Sequence, residues 1–209
     1  MGPQSTTGRV NQKLRTRTAI VRAAAELSRT GQEVTMPEVA RAALVSEATA
    51  YRYFPDLVSL LREAVVGQLP TPEEALAPVA GSTDPVERVA AATEFLLRHV
   101  LARQGVVRAM IAATVVRPGE AAARPGLRFG LIDHALAPAA QDDPARDPGA
   151  LEQLRRDLAV VVSAEALFSL TDLHGLDPED AIASIVHTAT TLTRSTLAAP
   201  GADGTPAAR

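Results

Sequence analysis

Two helix-start signals lie close together near the N-terminus, Thr35-Met-Pro-Glu38 and Ser46-Glu47, and Pro55 closes the second run. The first is a capping box: Thr35 can cap the backbone at Glu38, and Glu38 can reach back to Thr35. Pro37 sits in the first turn, where its missing N–H costs nothing. The helix then runs from Glu38 to Ala43 and turns Val39, Ala40 and Ala43 inward. Leu44 and Val45 make the turn. Ser46 caps the next helix, Glu47 to Phe54, and Glu47 favours its positive end. Asp56 is placed to cap a third. Two helices of about two turns, joined by a tight turn of three or four residues, match helix-turn-helix geometry.

Tyr51, Tyr53 and Phe54 are half of the chain's six phenylalanines and tyrosines, and Arg52 stands among them. At about 100° per residue, with Phe54 facing the core, Ala50 also turns inward. Ala48, Thr49 and Arg52 then point outward, and Tyr53 lies on a flank. In a major groove the outward side meets base edges and the flanks meet phosphates. Arg52 suits guanine O6/N7, and a tyrosine hydroxyl suits a phosphate.

These residues resemble the TetR-type transcriptional regulators. The matching stretches are Arg17-Thr-Ala-Ile-Val-Arg-Ala-Ala-Ala-Glu-Leu27, Val34-Thr-Met36, Val39-Ala-Arg-Ala-Ala43 and Val45-Ser-Glu-Ala-Thr-Ala-Tyr-Arg-Tyr-Phe54. The run Thr49-x-Tyr51-x-Tyr53-Phe54 is the most family-specific. The resemblance spans roughly residues 14 to 67; beyond it the match is one of helical layout. It implies an all-α protein with a three-helix helix-turn-helix domain at the N-terminus. A C-terminal helical bundle for ligand binding and dimerisation would follow, about nine helices in all. It further implies a double-stranded DNA operator as partner, contacted through Arg15, Arg17, Thr35, Met36, Ser46, Glu47, Ala48, Thr49, Tyr51, Arg52 and Tyr53. Two positions depart from the family: its usual Gly in the turn is Leu44 here, and its usual Lys at the start of the fourth helix is Leu57.

Net charge is −3, which looks wrong for a DNA binder until it is divided. Residues 1–67 hold nine Lys and Arg against six Asp and Glu, whereas residues 68–209 hold twelve against eighteen. A basic head on an acidic body suits DNA, although an ordinary solvated tail would also look basic. There is no cysteine, which excludes disulfides and thiolate metal sites. No apolar run reaches membrane-span length and the start is no signal peptide, so a cytoplasmic protein with no membrane partner is expected. No metal, cofactor or catalytic residue is expected either. The four histidines make no ligand pair at helical spacing, no Gly-x-Ser-x-Gly occurs, and Gly126-Leu-Arg-Phe-Gly130 lacks the Lys-Ser/Thr of a phosphate loop.

Helical periodicity covers the rest. Expected helices run from about Arg15 to Ser28, from Leu57 to Val65, from Asp84 to a break at Gly105, and from Val106 to the stop at Arg117-Pro-Gly119. A weaker helix spans Gly126 to Leu136, a Pro/Asp-rich loop Ala137 to Gly149, a long helix Leu151 to Leu173, and a last helix Asp177 to about Leu197. The domain reading is a disordered basic arm at 1–13, the DNA-binding domain at 14–67, an effector-binding and dimerisation domain at 68–199, and a disordered tail at 200–209.

Leu158 to Leu170 is apolar on nearly every face and needs cover on more than one side. The final helix carries a near-heptad stripe. A dimer interface through Leu158, Val161, Val162, Phe168, Ile182, Ile185, Val186, Ala189 and Leu192 is expected, with a monomer core as the alternative. By the resemblance, a small effector, unidentified, would sit among the middle helices. The polar and aromatic candidates there are His99, Arg103, Arg108, Thr114, Phe129, His134, Glu165 and Phe168, with Arg128 and Asp172 nearby. Two functions stay open: a ligand-responsive DNA-binding regulator, usually a repressor, or an all-helical small-molecule-binding protein or enzyme whose head is only structural. The absence of any catalytic constellation favours the regulator.

Overall fold

The computed structural model describes residues 4–29, 31, 33–66, 69–116, 126–142 and 148–198, and every regular element among them is helical. In order these are α1 (Gln4–Ser28), α2 (Met36–Ala42), α3 (Glu47–Tyr53), α4 (Leu57–Val66), α5 (Pro72–Ala75), α6 (Pro85–Leu101), α7 (Gln104–Val116), α8 (Leu127–Asp142), α9 (Pro148–Val161), α10 (Ala164–Phe168) and α11 (Pro178–Ala198). A 3₁₀ turn, Ala77–Val79, follows α5, and a π-type turn, Ser169–Leu173, follows α10. Two very short helices, α5 and α10, account for the excess over the nine expected. No single described helix is long and apolar enough to cross a membrane.

The chain forms two compact units. The first takes in α1–α4 and α7; the second takes in α5, α6 up to His99, and α8–α11. In the first, α1 packs on α2 and α4, α2 on α3, and α4 on α7. Ile20, Val39, Leu60, Leu61 and Val106 are fully buried at its centre, with Phe54, Met110 and six alanines around them. Alanine at the contacts lets short helices approach closely, and dense packing contributes dispersion that their small area does not. Asp56 starts α4 as expected, its Oδ1 accepting the Ser59 N–H at 2.7 Å.

Two boundaries in this unit differ from expectation. Residues 4–13 continue α1 instead of forming a disordered arm. Val10 and Leu14 are 59% and 62% exposed there, so propagation of the helical ladder, not packing, accounts for the extension. The break before α7 falls at Ala102–Arg103, and Gly105 lies inside the helix. The expected stop at Arg117-Pro-Gly119 and the tail 200–209 lie outside the described residues, as do 1–3 and 143–147 of the expected arm and loop.

In the second unit, α8 continues through Pro138 to Asp142, where a loop was expected from Ala137. A proline inside a helix leaves the carbonyl four residues earlier without its N–H donor. Here that carbonyl belongs to His134, and Arg88 of α6 supplies the donor: its Nη2 lies 2.8 Å from His134 O. Arg88 Nε donates to Ala135 O at 3.2 Å, and Nη1 donates to Val79 O at 3.2 Å and Ser82 O at 3.3 Å. The guanidinium, 5% exposed, thus joins α6, α8 and the 3₁₀ turn through four backbone oxygens.

The long helix expected from Leu151 to Leu173 is interrupted at Ser163. Its Oγ accepts the Ala166 N–H at 3.1 Å and donates to Val160 O at 2.9 Å, ending one helix and capping the next. α11 packs along α9, burying Ala181, Ile182, Ile185 and Ala189. Arg98 of α6 ties the start of α11 down by a paired contact with Glu179 at 2.9 and 3.0 Å, while also holding Glu94. This pairing keeps the Glu179 carboxyl below the usual carboxylate range.

Replacing Arg88 by alanine should destabilise the protein by about 3 kcal/mol, since charged hydrogen bonds are lost and buried carbonyls are left bare. Pro138→Ala restores an N–H to His134 O, so it should recover roughly 1 kcal/mol of that loss in the double variant. Urea unfolding of the four proteins measures this; strictly additive changes would mean that Arg88 and Pro138 act separately.

Candidate nucleic-acid interface

The second helix of the helix-turn-helix, α3, is held by two residues. Ala50 is fully buried and Phe54 is 3% exposed, and both face the head core. Ser46 caps the start: its Oγ accepts the Thr49 N–H at 3.2 Å and lies 2.9 Å from the Thr49 hydroxyl. With the core side fixed, Ser46, Glu47, Ala48, Tyr51 and Arg52 are exposed, and Thr49 and Tyr53 are half-buried. Tyr53 packs its ring against the head core, and the Arg52 guanidinium stands 5.7 Å from that ring's centre. Ala48 and Arg52 stand outward as the helical spacing predicts, whereas Thr49, expected outward, is half-buried.

The turn before α3 has a specific cause. Leu44 N–H donates to Arg41 O at 3.1 Å, and Val45 N–H donates to Ala40 O at 2.9 Å. These two bonds are the Schellman pattern, which needs a left-handed residue at its centre. Leu44 takes that conformation, with φ 56°, although a leucine there clashes with its own backbone. Its side chain is 92% exposed, so no packing offsets the strain locally.

The other expected DNA contacts separate. Arg15 is exposed on α1. Both arms of the Arg17 guanidinium pair with the Glu63 carboxylate of α4, and the same group lies 4.9 Å over the Phe54 ring. It therefore joins α1 and α4 to the end of α3. Met36 is a correction: it is 2% exposed in the head core, because the first turn of α2 points it inward beside Val34. Thr35 is half-buried, and its N–H (3.0 Å) and hydroxyl (2.8 Å) both donate to Glu38 Oε2. Those bonds hold the Glu38 carboxyl below its ordinary pKa. Leu57, where the family carries lysine, packs against the core.

An open groove between α1 and α3 went unread in the sequence. It is lined by Gln12, Lys13 and Thr16 from α1 and by Val45, Thr49, Arg52 and Tyr53. The missing signal was the helical state of residues 4–13, which places Gln12, Lys13 and Thr16 on one face of a rigid element.

The expected effector residues fall in both units. Arg103, Arg108 and Thr114 belong to the first, where desolvation, with Arg29 beside it, lowers the Arg103 pKa. His99, Phe129, His134, Glu165 and Phe168 belong to the second. There Phe129 is 51% exposed under Arg128, and His134 stands 3.7 Å from Glu73. Of the expected dimer residues, Leu158, Val162, Phe168, Ile182, Ile185 and Ala189 are buried within the single chain, largely by the packing of α11 on α9. They cannot form the core of a contact with a partner. Val161, Val186 and Leu192 stay partly exposed, and neighbouring Val160 is 75% exposed. Among the described residues no cluster of His, Asp or Glu is arranged to hold a metal.

Residues 20–64 match the family model of bacterial regulatory proteins of the tetR family. A crystal structure of a TetR transcriptional regulator from Rhodococcus sp. RHA1 is similar, with 25% sequence identity and a TM-score of 0.52, covering 87% of this chain and 97% of that one. No curated protein matches the chain.

Leu44→Gly should stabilise the head by roughly 0.5–1 kcal/mol, relief of the left-handed strain outweighing the greater freedom of unfolded glycine. An unchanged or lower melting temperature would show that the turn is not strained. Arg17→Met should cost the head about 1 kcal/mol, a value discounted for the exposure of its ion pair. The same variant should leave the salt dependence of DNA binding nearly unchanged; a slope flattened by one unit would place Arg17 on a phosphate instead.

Proposed function

We propose that this chain, whose residues 20–64 match the tetR family model, is a TetR-type transcriptional regulator: a dimeric repressor released from a near-palindromic operator by a small effector. One observation carries the reading. α3 is fixed to the core by Ala50 and Phe54 while Ser46, Glu47, Ala48, Tyr51 and Arg52 stand in solvent. A short helix so held, with polar groups outward, fits the major groove as a recognition helix.

Each chain supplies one such helix, so reading an operator of ordinary length requires two chains, and two-fold symmetry in the protein calls for it in the DNA. The surface offered to a partner is the outer side of α9 and α11. Val160 of α9 and the small residues Ala183, Ser184, Thr188 and Thr191 of α11 are exposed there. Small side chains permit close helix approach. For release, α6 leads into α7 across only Ala102 and Arg103, and α7 supplies Val106 and Met110 to the head core. An effector that displaces α6 would pull on α7 and, through α4, on α3. A coupling of about 1–3 kcal/mol is enough to lower DNA affinity by one to two orders of magnitude.

Selection of duplexes from a random pool, followed by footprinting, tests the proposal. Two half-sites related by a dyad about one helical turn, or a multiple of one, apart are expected, with a dimer in sedimentation at micromolar concentration. A single unrepeated half-site bound by a monomer would overturn it. No enrichment of any duplex would favour the alternative, a helical small-molecule-binding protein or enzyme whose head is structural.

A further inference from the structure

The groove between α1 and α3 carries two cations and no acid. Its walls are Gln12, Lys13, Thr16, Val45, Thr49, Arg52 and Tyr53, with no carboxylate among them. Lys13 and Arg52 are both exposed. Neither has a carboxylate partner among the described residues, and Arg52 contacts only the Tyr53 ring. Arg17, one turn further along α1 than Lys13, is neutralised by Glu63. Charge on this side of the head is therefore left at the groove. Two like charges on facing walls repel, and an anion between them removes that repulsion and is held by both.

We propose that this groove seats one backbone phosphate of the bound duplex, gripped jointly by Lys13 and Arg52, so that Arg52 holds the strand and does not read a base. The inference rests on the DNA-binding reading given above. It changes the role that helical spacing alone assigns to Arg52, because spacing shows only that a side chain points away from the core. The structure adds what else stands on that side. The Thr16 hydroxyl already donates to Gln12 O at 3.0 Å, so it is a wall of the seat and not a donor. The Gln12 amide, the Tyr53 phenol and the Thr49 hydroxyl, which shares a 2.9 Å hydrogen bond with Ser46 Oγ, are the remaining neutral groups able to donate.

The test uses the full chain and a duplex that the wild type enriches from a random pool. Affinity is measured against salt concentration for the wild type, Lys13→Gln, Arg52→Gln and the double variant. The substitutions lie on exposed side chains, and unchanged thermal melts confirm intact folding. Because both cations serve one phosphate, the double variant should lose about one unit of the log–log salt slope, not two. A scan of single methylphosphonates through the duplex should find one position per half-site that weakens the wild type about tenfold and leaves the double variant unaffected. Repeating the selection with Arg52→Gln should return the wild-type consensus. A consensus relaxed at one base pair per half-site would make Arg52 a base reader and overturn the proposal. So would Lys13→Gln behaving as wild type on a duplex the wild type binds well, and that result would leave the regulator reading standing. Failure of the wild type to enrich any duplex would remove both.

Discussion

The recognition helix has no stability of its own. α3 is seven residues long, below the length at which an isolated helix persists in water, and Ala50, Tyr53 and Phe54 fasten it to the core. Its placement therefore depends on α2, on which it packs, and on the packing of the shared head core that those residues enter. That packing uses Ile20, Leu60 and Leu61 for area and alanines for closeness. The Arg17 guanidinium closes the junction of α1 with α4 from outside, paired with Glu63 and lying over Phe54. A partly exposed ion pair adds little energy. Its value here is geometric, since a two-armed contact fixes the angle between α1 and α4 and with it the aim of α3.

The head is not contiguous in the chain. Val106 and Met110 of α7 complete a core whose other members all precede residue 70. A fragment ending at the boundary suggested by the composition would expose the apolar sides of Leu60, Leu61 and Val65. In a core this small, loss of two buried side chains is a large fraction of the stability available.

Legibility followed distance along the chain. The caps at Thr35, Ser46 and Asp56, the inward Ala50 and Phe54 and the outward Arg52 were readable because helix geometry fixes them within a turn or two. The Arg17–Glu63 pair joins residues 46 apart and left no periodic trace. Apolar stripes were readable, but their destination was not: Ile182, Ile185 and Ala189 were expected at a partner chain, and the structure buries them in the single chain, where α11 packs on α9. Prolines and serines misled in opposite ways. Pro138 falls in a stretch expected to be a loop, yet a donor from outside the helix lets α8 continue through it. Ser163 was passed over inside an apolar run, yet its hydroxyl divides that run into two helices. Leu44 shows the limit of composition: a leucine occupies a glycine conformation because the flanking helices demand the turn.

The contact between Arg88 and the α8 backbone constrains how this sequence can drift. The planar guanidinium of Arg88 spreads its donors over four backbone carbonyls. Lysine has a single nitrogen and cannot span the positions of four oxygens. While Pro138 remains, loss of the arginine exposes a bare carbonyl at His134. An N–H at position 138 satisfies that carbonyl and removes part of the cost, while the contacts to Ala135, Val79 and Ser82 remain. Changing residue 138 first therefore lowers the cost of losing the arginine. Relatives that keep the proline should keep the arginine, however far the rest of the body has diverged.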